Sequence, residues 1–135
     1  MKIGIDLGGS HVAIGLVDDN YEIIEKRTYY TNDNKKNVSL EDYIVNSIVH
    51  GINEILESTK YKLSQIENIG IAGHSQGGVG AINAVTEQSN GNMYKAIWAA
   101  STTSRYHADK NKNDDGWSCS LSNIHIPIFM VAGTK

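Results

Sequence analysis

Two short stretches carry residues whose types and spacing could do chemistry. Gly73-His74-Ser75-Gln76-Gly77 is a complete G-x-S-x-G. Between a strand and a helix, that spacing makes a sharp turn that exposes the serine hydroxyl as a nucleophile. The flanking glycines admit the tight packing that such a turn needs. The Gln76 N–H then points to where an oxyanion would form in acyl transfer. Ser75 is thus the candidate nucleophile and Gln76 the candidate oxyanion amide. The second stretch is Asp6-Leu7-Gly8-Gly9-Ser10, with Asp18 closing the strand that follows. Gly8 and Gly9 would let backbone N–H groups approach an anion with no Cβ in the way. Ser10 can donate to a phosphate oxygen, and Asp6 can hold a magnesium ion through water. The plain structural alternatives are a helix cap for the first stretch and a polar hairpin turn for the second.

A serine nucleophile needs a base. His74 adjoins Ser75, but its side chain should point away from the Ser75 hydroxyl. His107 lies in a polar segment, and His125 reads as a surface residue at the entrance of the last strand. Asn111, Asn113, Asp115 and Gly116 fall at calcium-loop offsets, but Ser122 stands where the bidentate Glu belongs, so a solvated loop is the reading. Trp98 and Trp117 have no basic groove around them and read as packing residues.

These residues need elements to position them. Ile3 to Leu7 is a short apolar strand, Val12 to Val17 a second, and Tyr21 to Tyr30 a third, with Asp18-Asp19-Asn20 as a turn between the last two. Ser39 is an N-cap with Asp42 as its capping-box partner. Ile44, Ile48, Ile52 and Ile55 then recur at helical spacing, predicting a helix over 40–58 that packs on the sheet. Ile69 to Ala72 is a buried strand leading into the G-x-S-x-G, and Val79 to Thr86 a small-residue helix. Ala96 to Ala100 and Ile126 to Ala132 are two further strands, separated by the polar stretch Ser101 to Ser122. An antiparallel meander followed by helical crossovers is an α/β pattern. Right-handed crossovers predict one three-layer domain over 1–135, with a mixed, mostly parallel sheet of order 3-2-1-4-5-6 and only the second strand antiparallel.

Composition narrows the function classes. The chain has 135 residues, 40% hydrophobic and 20% charged, which suits a single globular domain. The net charge of −3 argues against nucleic acid as a partner and against anionic membranes. No apolar run approaches the ~18 residues of a membrane span. The opening Met1-Lys2-Ile3-Gly4-Ile5-Asp6 does not read as a secretory leader. One cysteine, Cys119, leaves no internal disulfide and no Cys-rich zinc site. A cytoplasmic setting is the expectation.

Two resemblances follow from these motifs. Residues 1–72 resemble the N-terminal lobe of the ROK family of bacterial sugar kinases. The opening strand, Asp6-Leu7-Gly8-Gly9-Ser10-His11 and Ile69-Gly70-Ile71-Ala72 carry the match. That resemblance implies a ribonuclease-H-like half-fold, a phosphate loop at Asp6 and Gly8 to Ser10, and weak magnesium-ATP binding with no required cofactor. The family's Asn-Asp base motif has no counterpart in context, since Asn32-Asp33 and Asn113-Asp114 fall in polar links, so sugar phosphorylation is not expected.

Residues 73–135 resemble the middle of α/β-hydrolases of the dienelactone-hydrolase and polyester-hydrolase kind. Gly73 to Gly78, Ala81-Ile82-Asn83-Ala84 and Ile126 to Thr134 carry that match. It implies a triad acid after Gly133-Thr134 and a later histidine. Ser75, then Asp109, Asp114 or Asp115, then His125 follow the family's chain order, so a makeshift triad is one arrangement to test. The combined expectation is a recombined or engineered chimera with no complete active site, whose main property is folding. The alternatives are a weak carboxylic-ester hydrolase acting through Ser75 and a phosphate-binding kinase remnant.

Overall fold

The structure is a computed structural model that describes residues 1–34, 38–86, 94–100 and 124–131. His107, Asp109, the Asn111–Ser122 stretch with Trp117 and Cys119, and Gly133-Thr134 lie outside the described residues.

Alternation builds the sheet. In β1 (Lys2–Leu7) Ile3, Ile5 and Leu7 are buried, while Gly4 and Asp6 are exposed on the other face. β2 (His11–Val17) runs antiparallel to it and sets Leu16, Ile14 and Val12 beside those three residues. β3 (Ile23–Tyr30) is antiparallel to β2 and forms one edge. β4 (Asn68–His74) lies parallel to β1 with Ile69 beside Ile3 and Ile71 beside Ile5. β5 (Tyr94–Ala100) continues the apolar row with Ile97 beside Ile71. β6 (Ile128–Val131) forms the other edge, parallel to β5. The order is β3-β2-β1-β4-β5-β6, as the crossover argument requires.

Two helices cover this apolar face. In α1 (Leu40–Thr59), the Ser39 hydroxyl accepts the Asp42 N–H at 3.0 Å and donates to the Asp42 carboxylate at 2.8 Å. Lys60 ends the helix in the left-handed region at φ 64°. Ile55 is fully buried, with Ile44, Ile48 and Ile52 packed beside it. Gly51 lets α1 come down closely, because a Cβ there would stand 2.8 Å from Ile14 and 2.9 Å from the Tyr29 ring. α2 (Gln76–Thr86) buries Val79, Ile82 and Val85, and Gly80 faces Leu7. Ile14 and Leu7 belong to the same buried row, so both helices share one face. The described residues therefore make two layers, the sheet and one layer of helices, where three were expected. One core joins Ile3, Ile5, Leu7 and Ile14 to Val79, Ile82 and Ile97, so the described residues form a single domain.

Several boundaries differ from the sequence expectation for physical reasons. β3 begins at Ile23 because Tyr21 sits at φ 65° and the Asp18 carboxylate holds a turn, accepting the N–H groups of Asn20 at 2.8 Å and Glu22 at 2.9 Å. Asp18 is thus a turn residue. α2 starts at Gln76, three residues before Val79, directly after the turn at Ser75. Trp98, expected to pack inside, is 43% exposed on the uncovered face beside Phe129. Among the described residues no helix is long and apolar enough to cross a membrane.

The α1–β3 contact carries a pH signature. The Tyr29 hydroxyl donates to Glu54 at 2.6 Å. Burial and that bond to a carboxylate push its pKa up to about 12. A raised phenol pKa leaves stability intact below its unfolded value of ~10. As pH rises through the window up to about 12, the unfolded chain ionises first and stability falls. Urea denaturation at several alkaline pH values should therefore show a steeper loss in the wild type than in Tyr29→Phe. Parallel curves would refute this account.

Candidate functional site

The elbow forms as the spacing predicts. β4 ends at His74, Ser75 stands alone between strand and helix, and α2 begins at Gln76. Ser75 has φ 56°, a left-handed conformation that costs a non-glycine residue ~1–3 kcal/mol. Neighbouring backbone holds it there. Its N–H donates to the Ala100 carbonyl at 2.8 Å, and its own carbonyl accepts the N–H groups of Gly78 at 3.0 Å and Val79 at 3.3 Å. Both flanking glycines are sterically required. A Cβ on Gly73 would overlap the Gly77 carbonyl, and one on Gly77 would overlap the carbonyl of Leu7 in β1. The Ser75 side chain is exposed. The Gln76 and Gly77 N–H groups have no backbone acceptor among the described residues, as expected in a first helical turn.

The fold brings the second stretch alongside. Leu7 is in register with Gly73 across the parallel β1–β4 pair, so the β1–β2 hairpin and the elbow share the C-terminal end of the sheet. Within the hairpin, the Gly8 N–H donates to the His11 carbonyl at 2.9 Å, leaving Gly9-Ser10 as a two-residue link. The Ser10 carbonyl accepts the Thr31 N–H at 2.9 Å. The Asp6 carboxylate projects on the uncovered face, 3.9 Å from His11 Nε2. Ser10 Oγ lies 3.4 Å from His11 Nδ1. His11 was not among the expected site residues. No spacing rule marks it, because the β1–β2 pairing is what brings it back to Asp6.

Part of the expected phosphate loop is engaged within the hairpin itself. The Gly8 amide is spent inside the hairpin, and the His11 ring lies against Gly8, where a Cβ would stand 2.9 Å from its Cε1. Among the described residues the Gly9 and Ser10 N–H groups have no backbone acceptor. Among the described residues no group of three or more His, Cys, Asp or Glu side chains could hold a metal.

Among the described residues no base reaches the Ser75 hydroxyl. Strand alternation puts His74 on the uncovered face with Ala72, and among the described residues no imidazole or carboxylate hydrogen-bonds Ser75. The triad with His125 is overturned. His125 precedes β6, at the opposite end of the parallel strands from the elbow. Six residues separate it from Val131, which is in register with Ala100, a span of up to roughly 20 Å at ~3.3 Å per residue. His125 is exposed, in keeping with a surface role.

No protein-family model matches the chain, and no curated protein matches it. The kinase and hydrolase resemblances accordingly rest on the quoted motifs.

Two substitutions at the elbow should move stability in opposite directions. Ser75→Gly removes the left-handed penalty and should stabilise by ~1 kcal/mol. Gly77→Ala drives a methyl into the β1 backbone and should cost upwards of ~3 kcal/mol, in the range of the severest overpacking. Thermal and urea denaturation of the three proteins checks this. A Gly77→Ala variant as stable as wild type would mean that α2 does not rest on β1 as described.

Proposed function

We propose that the chain is a recombined α/β protein, kinase-like over 1–72 and hydrolase-like over 73–135. Its main property is a completed fold, and its elbow keeps the shape of an acyl-transfer site without the full machinery. The observation that carries this reading is Ser75 at φ 56°, exposed between β4 and α2, with glycines at 73 and 77 that nothing else could replace. A strained, solvent-facing serine is what a nucleophile elbow requires, and a plain helix cap needs no such strain. The fold is compatible with the recombined reading, because β4 of the first segment pairs with β5 of the second in one sheet. A cytoplasmic setting fits the single cysteine.

The chemistry available follows from these groups. Ser75 Oγ can attack an ester carbonyl, and the Gln76 N–H is placed to meet the negative charge that forms on the carbonyl oxygen. With no base at the elbow among the described residues, the hydroxyl acts as a neutral alcohol and a poor nucleophile. Enzymes stripped of triad members keep ~10³–10⁴-fold acceleration from the oxyanion hole and binding, and a partial hole supplies less. The fitting substrates are small activated esters with good leaving groups. Unactivated esters and sugar phosphorylation are outside its reach.

The decisive comparison is wild type against Ser75→Ala on p-nitrophenyl acetate, with a fluorophosphonate probe as a second readout. Covalent labelling at Ser75 is expected in the wild type and no labelling at position 75 in the variant, with slow ester turnover reduced by the substitution. A wild-type chain that is never labelled at Ser75 would reduce the elbow to a structural turn.

A further inference from the structure

The hairpin beside the elbow holds a nucleophile, a base and an orienting carboxylate in one chain of contacts. Ser10 Oγ lies 3.4 Å from His11 Nδ1, and Asp6 Oδ2 lies 3.9 Å from His11 Nε2. The two sides of the ring thus face different partners. In the tautomer with the proton on Nε2, toward the Asp6 carboxylate, the Nδ1 lone pair faces the Ser10 hydroxyl. That is the tautomer a general base needs.

The ring is held in place by more than these two contacts. Gly8 gives it room, since a Cβ there would approach Cε1 to 2.9 Å and Nδ1 to 3.0 Å. The Tyr30 ring flanks it at 6.3 Å, tilted by 52°. Both backbone positions are pinned, His11 by the Gly8 N–H and Ser10 by the Thr31 N–H. Ser10 and Asp6 are exposed, so a substrate can reach them.

We propose that Ser10, His11 and Asp6 form a second acylation site, independent of Ser75, that takes small activated esters and related acyl or phosphonyl electrophiles. Ser10 Oγ attacks the carbonyl carbon and forms the new C–O bond. Its proton passes to His11 Nδ1. The ester C–O bond breaks, and the aryl oxygen leaves with the electron pair and takes up that proton. Water, deprotonated by His11 in turn, then cleaves the acyl-serine to the free acid and restores the hydroxyl. Asp6 acts through His11 and is a positioning residue. Gly8 serves the site by being small.

The test uses the full chain carrying Ser75→Ala, so its outcome is separate from that of the elbow. The protein is treated with p-nitrophenyl acetate and with a fluorophosphonate, and the adduct is located by peptide mass spectrometry. An adduct on Ser10 is expected, absent in Ser10→Ala. A positioned general base typically contributes ~10²–10⁴-fold, so His11→Gln should slow Ser10 labelling by ~10-fold or more. Asp6→Asn should slow it less. Gly8→Ala should slow it with the hydroxyl intact, and circular dichroism shows that the variant is folded. If Ser75→Ala fails to fold, the wild-type chain serves, because the mapped peptide distinguishes Ser10 from Ser75. An unmodified Ser10, an acetyl group that stays on His11, or Ser10 labelling indifferent to His11→Gln would each overturn the proposal.

Discussion

The first turn of α2 rests directly on the backbone of β1, and only the absence of a side chain at Gly77 permits it. Much of the structure depends on this approach. It brings the helix close enough to bury Val79 and Ile82 against the β1 row of Ile3, Ile5 and Leu7. It presses Gly73 against Gly77, which forces the chain through Ser75 in one residue and so places φ 56° on a side chain that would avoid it. It also ties residues near the N-terminus to residues beyond 73, so the two segments share one core. A larger residue at 77 would lift α2 from the sheet and dissolve the elbow with it.

The strain at Ser75 persists because its surroundings outweigh it. A penalty of ~1–3 kcal/mol is small beside the burial of several aliphatic side chains, each worth ~1.5–3 kcal/mol. Backbone bonds from β5 and from α2 fix the residue on both sides. The elbow is therefore rigid by construction. The His11 imidazole lies one strand away, on a hairpin pinned by its own ladder. That the hairpin and the elbow share one end of the sheet is a consequence of β1 and β4 being parallel neighbours in register.

The two faces of the sheet differ sharply. One carries the isoleucine rows and both helices. The other presents Gly15, Gly4, Gly70 and Ala96 side by side, with Trp98 and Phe129 exposed beyond them. Small residues there contribute little to stability, which comes from the covered face. The edges differ too. β3 carries Glu25, Lys26 and Arg27, with Arg27 bonded to Glu25 at 2.6 Å, a charged edge that resists further pairing. β6 is wholly apolar.

Local pattern determined a good deal by itself. Alternation of Ile3, Ile5 and Leu7, the helical recurrence of Ile44 to Ile55, the Ser39 cap and the G-x-S-x-G turn each follow from residues a few positions apart. The sheet order followed from the handedness of crossovers, which sterics constrain strongly. Tertiary structure alone decided the rest, because it depends on which distant residues share an end or a face. Parallel strands place His125 at the far end from Ser75, although chain order suggested a triad. The β1–β2 register returns His11 to Asp6 and spends the Gly8 amide, which no spacing rule reveals. Two crossovers moving the same way across the sheet put both helices on one face, leaving Trp98 outside. Short-range preference acts along the chain, whereas proximity across strands is set by register and direction.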